Sequence, residues 1–210
     1  MQPATISQII LLTGEAEGPF LAEILRQHNP ALDVVAATDA ATLQAACAAA
    51  GPGARLLSFC SPVIVPGGLL QSLPGPSYNF HPGPPERPGR YPSVFALYDN
   101  APRFGITVHE MLSSVDSGPI VAAEWFTIPE GCDLATLEEL TSMELAKVFK
   151  RLAPHLAMKT EPLRRQLIPW RGRKTTKAEC DALCAVTPDM APAEAERRRR
   201  ACGGHMLRRI

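Results

Sequence analysis

The 210-residue chain is predicted to form an α/β fold: a Rossmann-like, mostly parallel sheet flanked by helices, with a C-terminal extension of helix and loop. Short apolar segments alternate with segments of helical periodicity through the first part of the chain, which is typical of parallel strands joined by crossover helices. Beyond about residue 160 this pattern weakens. We therefore divide the chain into a core domain, residues 1–160, and an extension, residues 161–210.

The elements follow one another with short links. Strands are predicted at 7–14, 33–39, 54–60, 77–80, 103–112 and 120–128, the last antiparallel to its predecessor. Helices are predicted at 18–29, 39–51, 93–100, 134–156 and 193–202, and residues 63–73 form a short irregular or helical crossover. Asp39 and Asp133 each precede a helical pattern, so both are expected as N-caps.

Composition places the chain among globular proteins. Apolar residues make up 46% and charged residues 20%, which is enough apolar material for a full core. No apolar run approaches the roughly 18 residues that a membrane span needs. The N-terminus lacks the basic segment of a secretion signal, so a cytoplasmic location is expected and no membrane partner.

Charge is distributed unevenly along the chain. Residues 147–210 contain 16 of the 21 Lys and Arg but only 6 of the 21 acidic residues. Such a segment either binds an anionic ligand such as nucleic acid or packs against the acidic remainder of its own or a partner chain, and we favour the second. Arg197–Arg200 is interpreted as a solvated helix face, nucleic acid is not an expected partner, and a homodimer is left open.

Six cysteines are spread along the chain without a Cys-x-x-Cys pair. Cys180 and Cys184 are four residues apart, and with His205 they would allow a zinc site. The spacing is a weak signal, so ordinary reduced thiols are the favoured interpretation and no metal is expected.

The segment NFHPGPPERPGRYP, residues 79–92, is the most informative in the chain. Asn79 and His81 are two residues apart at a strand end, so both side chains leave the same face. Ligands of open α/β sheets bind at this edge. The prolines restrict the backbone that follows, as expected of a preorganised site.

A group that orients His81 is also expected. Asp116, in the turn VDSGP, is the candidate, although a turn Asp often bonds only to its local backbone. His109 competes for a role in the site. Because it lies inside a predicted strand, an edge or core role is favoured for it.

Together these segments resemble the formyltransferases that use 10-formyltetrahydrofolate. The resemblance is carried by NFHPG (79–83), FGITVHEM (104–111) and VDSGPIV (115–121) and covers about residues 5–160. It implies that the core domain is catalytic and that Asn79, His81 and Asp116 are its catalytic residues. In that chemistry an amine attacks the formyl carbon, Asn79 and protonated His81 stabilise the oxyanion, and Asp116 supports the imidazolium and relays a proton.

The resemblance also implies a folate site beside these residues, with 10-formyltetrahydrofolate as cosubstrate. Two segments match, residues 62–66 and residues 111–115, and both are apolar or small, as a flat heterocycle requires. The side chains of residues 63–65 could equally belong to the core. The residues are Val63, Ile64, Val65, Met111, Leu112, Ser113 and Val115.

The proline-rich loop departs from the family, in which a Ser commonly stands at the position of Gly83. The first loop, TGEAEGPF, lacks the phosphate-binding pattern of the purine-synthesis members. The expected partner is therefore a small-molecule amine, such as an amino sugar nucleotide. Two alternatives remain: a hydrolase with water as acceptor, and a folate-binding module without turnover.

Overall fold

The computed structural model describes the backbone of residues 6–206 and 208–209 and the side chains of residues 6–203. The strands are β1 Gln8–Leu12, β2 Asp33–Ala37, β3 Ala54–Phe59, β4 Tyr78–His81, β5 Arg103–Glu110, β6 Ile120–Thr127, β7 Ala185–Val186 and β8 Arg208–Arg209. The helices are α1 Gly18–His28, α2 Ala40–Ala48, α3 Gly67–Ser72, α4 Pro92–Tyr98, α5 Leu134–Met158, α6 Lys177–Leu183 and α7 Pro192–Met206. Every predicted strand and helix has a counterpart, and α6, β7 and β8 are additional.

Within the described residues, six strands form one sheet in the order β2-β1-β3-β4-β5-β6. Strand β1 pairs in parallel with β2 and β3, and β3 pairs in parallel with β4. Strands β5 and β6 run antiparallel, since Gly105 approaches Glu124 while Gly118, just before β6, approaches Glu110. The predicted mostly parallel sheet is confirmed.

The two predicted N-caps are confirmed as well. Asp39 precedes α2, and its Oδ1 accepts the N–H of Thr42 at 2.7 Å while the Thr42 hydroxyl accepts the Asp39 N–H. Asp133 Oδ1 accepts the N–H of Thr136 at 2.9 Å. These bonds satisfy amide groups that have no partner inside the helix.

The described residues separate into two compact units. The first lies within Met1–His81, Val108–Ala122 and Ala146–Ile168, and the second within Pro82–Thr107, Ala123–Leu145 and Pro169–Ile210. The first unit contains β1 to β4 and the C-terminal half of α5, and the second contains α4, α6 and α7. The sequence-based division at residue 160 stays a prediction.

Aromatic packing fixes β3 and β4 in the first unit. Phe59, Phe80 and Phe149 form a buried triangle with ring centroids 5.1 to 5.9 Å apart. Arg55 is only 1% exposed, and its guanidinium donates to Leu156 O at 3.0 Å near the end of α5. Burial lowers the pKa of Arg55. The aromatic packing holds β4, which carries Asn79 and His81, against β3 and α5.

The arginine run of α7 is only in part the solvated helix face that was predicted: Arg199 and Arg200 are exposed, whereas Arg197 and Arg198 are half-buried. In the second unit Arg197 lies 4.0 Å from the centre of the Tyr98 ring and donates to Tyr98 O at 2.6 Å. Arg198 donates to Glu194 at 2.6 Å, and Arg200 donates to Leu97 O at 3.1 Å. Arg197 and Arg200 thus satisfy carbonyls at the end of α4 and attach α7 to it, whereas the bond from Arg198 to Glu194 lies within α7.

The prediction that all cysteines are reduced thiols is wrong for one pair. Cys184 and Cys202 form a disulfide across 18 residues of sequence. Cys180 is free and buried beside them, and burial raises the pKa of its thiol to about 11. The Cys180 thiol therefore stays protonated near neutral pH and is a poor nucleophile toward the disulfide.

The disulfide gives a direct prediction for the oxidised protein. Thiol titration in denaturant without reductant should detect Cys47, Cys60, Cys132 and Cys180, that is four thiols rather than six. Replacing Cys184 and Cys202 by Ser should lower the free energy of unfolding by about 2–4 kcal/mol, because the closed loop restricts the unfolded chain.

The matched control is Cys60→Ser, which alters an exposed free cysteine. It should reduce the titrated thiols by one and leave stability unchanged. Six titrated thiols in the oxidised wild-type protein would contradict the pairing.

Among the described residues, no helix is both long enough and apolar enough to cross a membrane.

Candidate active site

Two side chains project from the carboxyl end of β4. Parallel pairing with β3 places Asn79 opposite Ser58. His81 is 4% exposed and Asn79 is partly buried. Because they stand two residues apart on one strand, they share a face, as the sequence predicted.

Asp116 lies in the turn between β5 and β6 and is 3% exposed. Its backbone has φ 43°, in the left-handed region that Asp tolerates better than most residues. Its Oδ2 is 3.6 Å from Nδ1 of His81. This distance is long for a hydrogen bond but within ion-pair range, and catalytic contacts often tighten only when substrate is bound.

His109, which the sequence interpretation placed in an edge or core role, is in contact with this group. It is 3% exposed, and its Nε2 lies 3.2 Å from Asp116 Oδ1 and 3.2 Å from Asn79 Nδ2. Its Nδ1 lies 2.8 Å from Glu110 O, so Nδ1 carries the proton and donates to that carbonyl. Nε2 therefore accepts from Asn79 when the ring is neutral and donates to Asp116 when it is protonated.

Thr107, two residues before His109 on β5, shows which face of the strand His109 occupies. Thr107 is fully buried, and its hydroxyl donates to Gly83 O at 2.8 Å. Residues two apart on a strand share a face, so Thr107 indicates which side of β5 His109 occupies.

The turn that carries Asp116 is closed tightly at its base. Glu110 N–H donates to Pro119 O at 2.9 Å. A Cβ added to Gly118 would lie 1.8 Å from Glu110 O, so only glycine fits there. The Glu110 carboxylate accepts two hydrogen bonds from Arg165, each 2.8 Å long. Contacts with Pro119, Gly118 and Arg165 thus hold Glu110 at the end of β5. Because His109 precedes Glu110 and the turn with Asp116 follows it, these contacts also orient His109 and Asp116.

The two segments predicted to bind folate lie next to each other in the first unit. A Cβ on Gly67, directly after the first segment, would be 3.0 Å from Ser113 Cβ in the second. Val63 and Met111 pack against one hydrophobic cluster, and Val65 is a member of it. The side chain of Val65 is therefore core, as the sequence allowed.

Large apolar side chains from both segments remain exposed. Ile64 is 62% exposed, Leu112 50% and Val115 44%. Exposed apolar side chains grouped on two adjacent segments are typical of a wall that an apolar ligand covers. Among the described residues, no cluster of three or more His, Cys, Asp or Glu could hold a metal ion.

Solved structures share this architecture. A sugar N-formyltransferase from a Shewanella species superposes with a TM-score of 0.76 at 16% identity, covering 94% of this chain and 88% of the other. This chain has the formyltransferase fold. A 4-N formyltransferase from Francisella tularensis superposes with a TM-score of 0.69 at 15% identity, covering 94% of this chain and 88% of its own.

A third structure was solved with ligands bound. It is an N-formyltransferase from Helicobacter canadensis in complex with folinic acid and dTDP-3-aminofucose. Its TM-score is 0.67 at 14% identity, with 93% of this chain and 80% of the other covered. No protein-family model matches the chain. The resemblance drawn from the sequence motifs is confirmed at the level of the formyltransferase fold.

Proposed function

We propose that the protein is an N-formyltransferase that moves the formyl group of 10-formyltetrahydrofolate to the amine of a small molecule. One observation carries the proposal: Asn79, His81 and Asp116 converge at the strand ends of a formyltransferase fold. An amide donor, an imidazole and a carboxylate are the groups that amine acylation requires.

The amine nitrogen attacks the formyl carbon, and negative charge develops on the formyl oxygen. Asn79 directs one amide N–H toward His109 and has a second that can donate to this oxyanion. Protonated His81 supplies a charge-assisted bond to the same oxygen. Removing one donor of this kind typically lowers the rate by about 10²- to 10³-fold.

Asp116 lies between two imidazoles and supports the positive charge on His81. The attacking amine must lose one proton, and N10 of the folate must gain one as the bond from N10 to the formyl carbon breaks. The Asp116 carboxylate accepts the proton from the amine, directly or through water, and the same proton is then passed to N10 as it leaves. The products are a formamide and tetrahydrofolate.

The exposed apolar wall formed by Ile64, Leu112 and Val115 supports folate binding in the same unit. A pterin ring is flat and largely apolar on its faces, so it would cover these side chains. We propose that the predicted folate segments bind 10-formyltetrahydrofolate. The side chain of Val65 belongs to the hydrophobic core and supports this site from within.

The acceptor is proposed to be a nucleotide-linked amino sugar. The support is the neighbour from Helicobacter canadensis, which was solved with dTDP-3-aminofucose.

The test is a reaction with 10-formyltetrahydrofolate and a panel of amines that includes dTDP- and UDP-linked amino sugars. Mass spectrometry should detect the formamide of at least one amine together with tetrahydrofolate. A reaction without amine is the control. Equal formate release with and without amine would identify a hydrolase, and folate binding without turnover would identify a binding module.

A further inference from the structure

A short segment after α5 lies against neighbouring strands of the sheet. We call residues 163–166 the clip, and it belongs to the first unit together with β4, the end of β5 and the start of β6. Leu163 N–H donates to the Tyr78 hydroxyl on β4 at 2.8 Å. Gln166 N–H donates to Ile120 O at the start of β6 at 2.7 Å. Because β5 lies between β4 and β6, the clip crosses three adjacent strands.

Between these two contacts, Arg165 binds the end of β5. Its guanidinium donates to both oxygens of the Glu110 carboxylate, each at 2.8 Å. The Glu110 side chain is only 9% exposed, whereas that of Arg165 is 63% exposed. A planar guanidinium that forms two parallel bonds fixes both the position and the orientation of a carboxylate. Arg165 therefore holds the end of β5 and offsets the charge of a nearly buried carboxylate.

Each contact of the clip is close in sequence to a residue of the candidate site. Tyr78 directly precedes Asn79, and Glu110 directly follows His109. The bond to β6 lies just after the turn that carries Asp116. A shift at any of these contacts would therefore reach a site residue through one or a few residues of backbone.

The clip contacts the face of the sheet opposite the candidate site. Asn79 and His109 share one face, since their side chains are 3.2 Å apart. Successive residues of a strand point to opposite faces, so the side chains of Tyr78 and Glu110 share the other face. Electrostatic interactions of Tyr78 with Glu110 and with Arg165 agree with this grouping. The clip thus supports the site from behind, without occupying the face that carries Asn79 and His109.

Glu110 connects the clip to the candidate catalytic residues through its main chain. His109 Nδ1 donates to Glu110 O, and His109 Nε2 lies 3.2 Å from Asp116 Oδ1. Glu110 N–H closes the turn through Pro119 O at 2.9 Å. The residue whose main chain orients both the imidazole and the turn is therefore the one whose side chain Arg165 holds.

We propose that the clip is a positioning element for catalysis and that Arg165 is its main positioning residue. Arg165 acts through Glu110 on His109 and Asp116 and is not itself a catalytic residue. A misplacement of about 1 Å can lower a catalytic rate by about 10²-fold, so such a hold affects turnover. This inference rests on the proposed function, because it assigns the positioned residues to formyl transfer. It gives the beginning of the predicted C-terminal extension a role in turnover.

The test compares Arg165→Gln with Arg164→Gln. Both variants remove an exposed guanidinium, and only Arg165→Gln removes the two bonds to Glu110. For Arg165→Gln we expect kcat to fall by about 10- to 100-fold, with the KM of the acceptor amine within about twofold of the wild type. Rates are expressed per folinic acid binding site, so that unfolded protein does not contribute. Arg164→Gln should keep wild-type kcat and KM.

Two further variants test the geometry and the route of the effect. Arg165→Lys keeps the charge but cannot bond to both oxygens in the same fork, so kcat should recover to within about 2- to 10-fold of the wild type. Because Arg165 acts through Glu110, adding Arg165→Gln to Glu110→Gln should lower kcat by less than about twofold further.

Hydrogen exchange gives a measurement that needs no substrate. The Glu110 amide is bonded to Pro119 O, and loosening of the end of β5 exposes it more often. Its exchange should be faster in Arg165→Gln than in the wild type and in Arg164→Gln.

The outcomes separate the two claims. An active wild type whose kcat is unaltered in Arg165→Gln would overturn the positioning role. An equal fall in Arg164→Gln would also overturn it, because loss of surface charge would then explain the effect, and so would a full further loss in the Glu110→Gln background. If the wild type formylates no amine, the proposed function is refuted. Faster Glu110 exchange in Arg165→Gln alone would then still support the hold on β5, and unaltered exchange would overturn it.

Discussion

His81→Ala is expected to reduce formyl transfer by about 10³-fold or more, which would abolish it in a steady-state assay. His81 is 4% exposed at the end of β4, where its Nδ1 faces Asp116. In the proposed mechanism, the variant loses the cationic donor to the oxyanion. The measurement is initial rate with 10-formyltetrahydrofolate and the acceptor found in the amine screen.

The effect must be separated from loss of structure. Circular dichroism and thermal unfolding of His81→Ala should show a folded protein, and folinic acid should still bind, since the exposed apolar wall is intact. His28→Ala, at the exposed end of α1, is the matched control and should keep full activity. Normal transfer by His81→Ala would refute the assignment of the site.

Asp116→Asn is expected to lower turnover by about 10²- to 10⁴-fold while leaving folate affinity close to that of the wild type. Asn has the same shape as Asp and also tolerates φ 43°, so the turn should keep its backbone. The variant loses the negative charge beside His81 and His109, and with it the proton acceptor of the proposed mechanism. Single-turnover rates and direct titration with folinic acid measure the two effects separately.

The control for this variant is Asp133→Asn, which neutralises a carboxylate at the N-cap of α5 but retains its capping bond. It should have wild-type turnover. A selective loss of folate affinity in Asp116→Asn, without a loss of turnover, would mean that Asp116 is a structural turn residue.

Local patterns in the sequence were sufficient to predict the sheet and much of the site. Alternating apolar and helical segments predicted β1 to β6, and two-residue spacing placed Asn79 and His81 on one face. Asp116 was a candidate because of its turn, VDSGP, and its catalytic role was implied by the resemblance and not by hydrophobic periodicity. The structure places it 3.6 Å from His81, which supports the prediction, and its catalytic role stays a proposal.

Features that depend on distant pairing were not predicted. His109 was assigned to core or edge because a linear pattern does not show that its strand lies beside β4. The disulfide between Cys184 and Cys202 depends on how α6 and α7 pack, and cysteine spacing alone does not determine it. The arginine run contacts α4 carbonyls about 100 positions earlier, at separations of 99 and 103 residues.

The proline-rich loop, residues 82–91, shows the same division. Its prolines indicated rigidity, and the structure adds that residues 169–176 hold it through hydrogen bonds spanning more than 80 residues of sequence. Intrinsic stiffness and long-range backbone pairing therefore act on the same segment. Only the first can be inferred from composition.

The most direct test of the central claim uses 10-formyltetrahydrofolate with a ¹³C-labelled formyl group and the accepted amine. Transfer to the amine is followed in the wild type, Asn79→Ala and His81→Ala at saturating donor. We predict labelled formamide from the wild type, a rate about 10²- to 10³-fold lower for Asn79→Ala, and none detectable for His81→Ala. Labelled formamide at wild-type rates from both variants, or label recovered only as formate, would contradict the account.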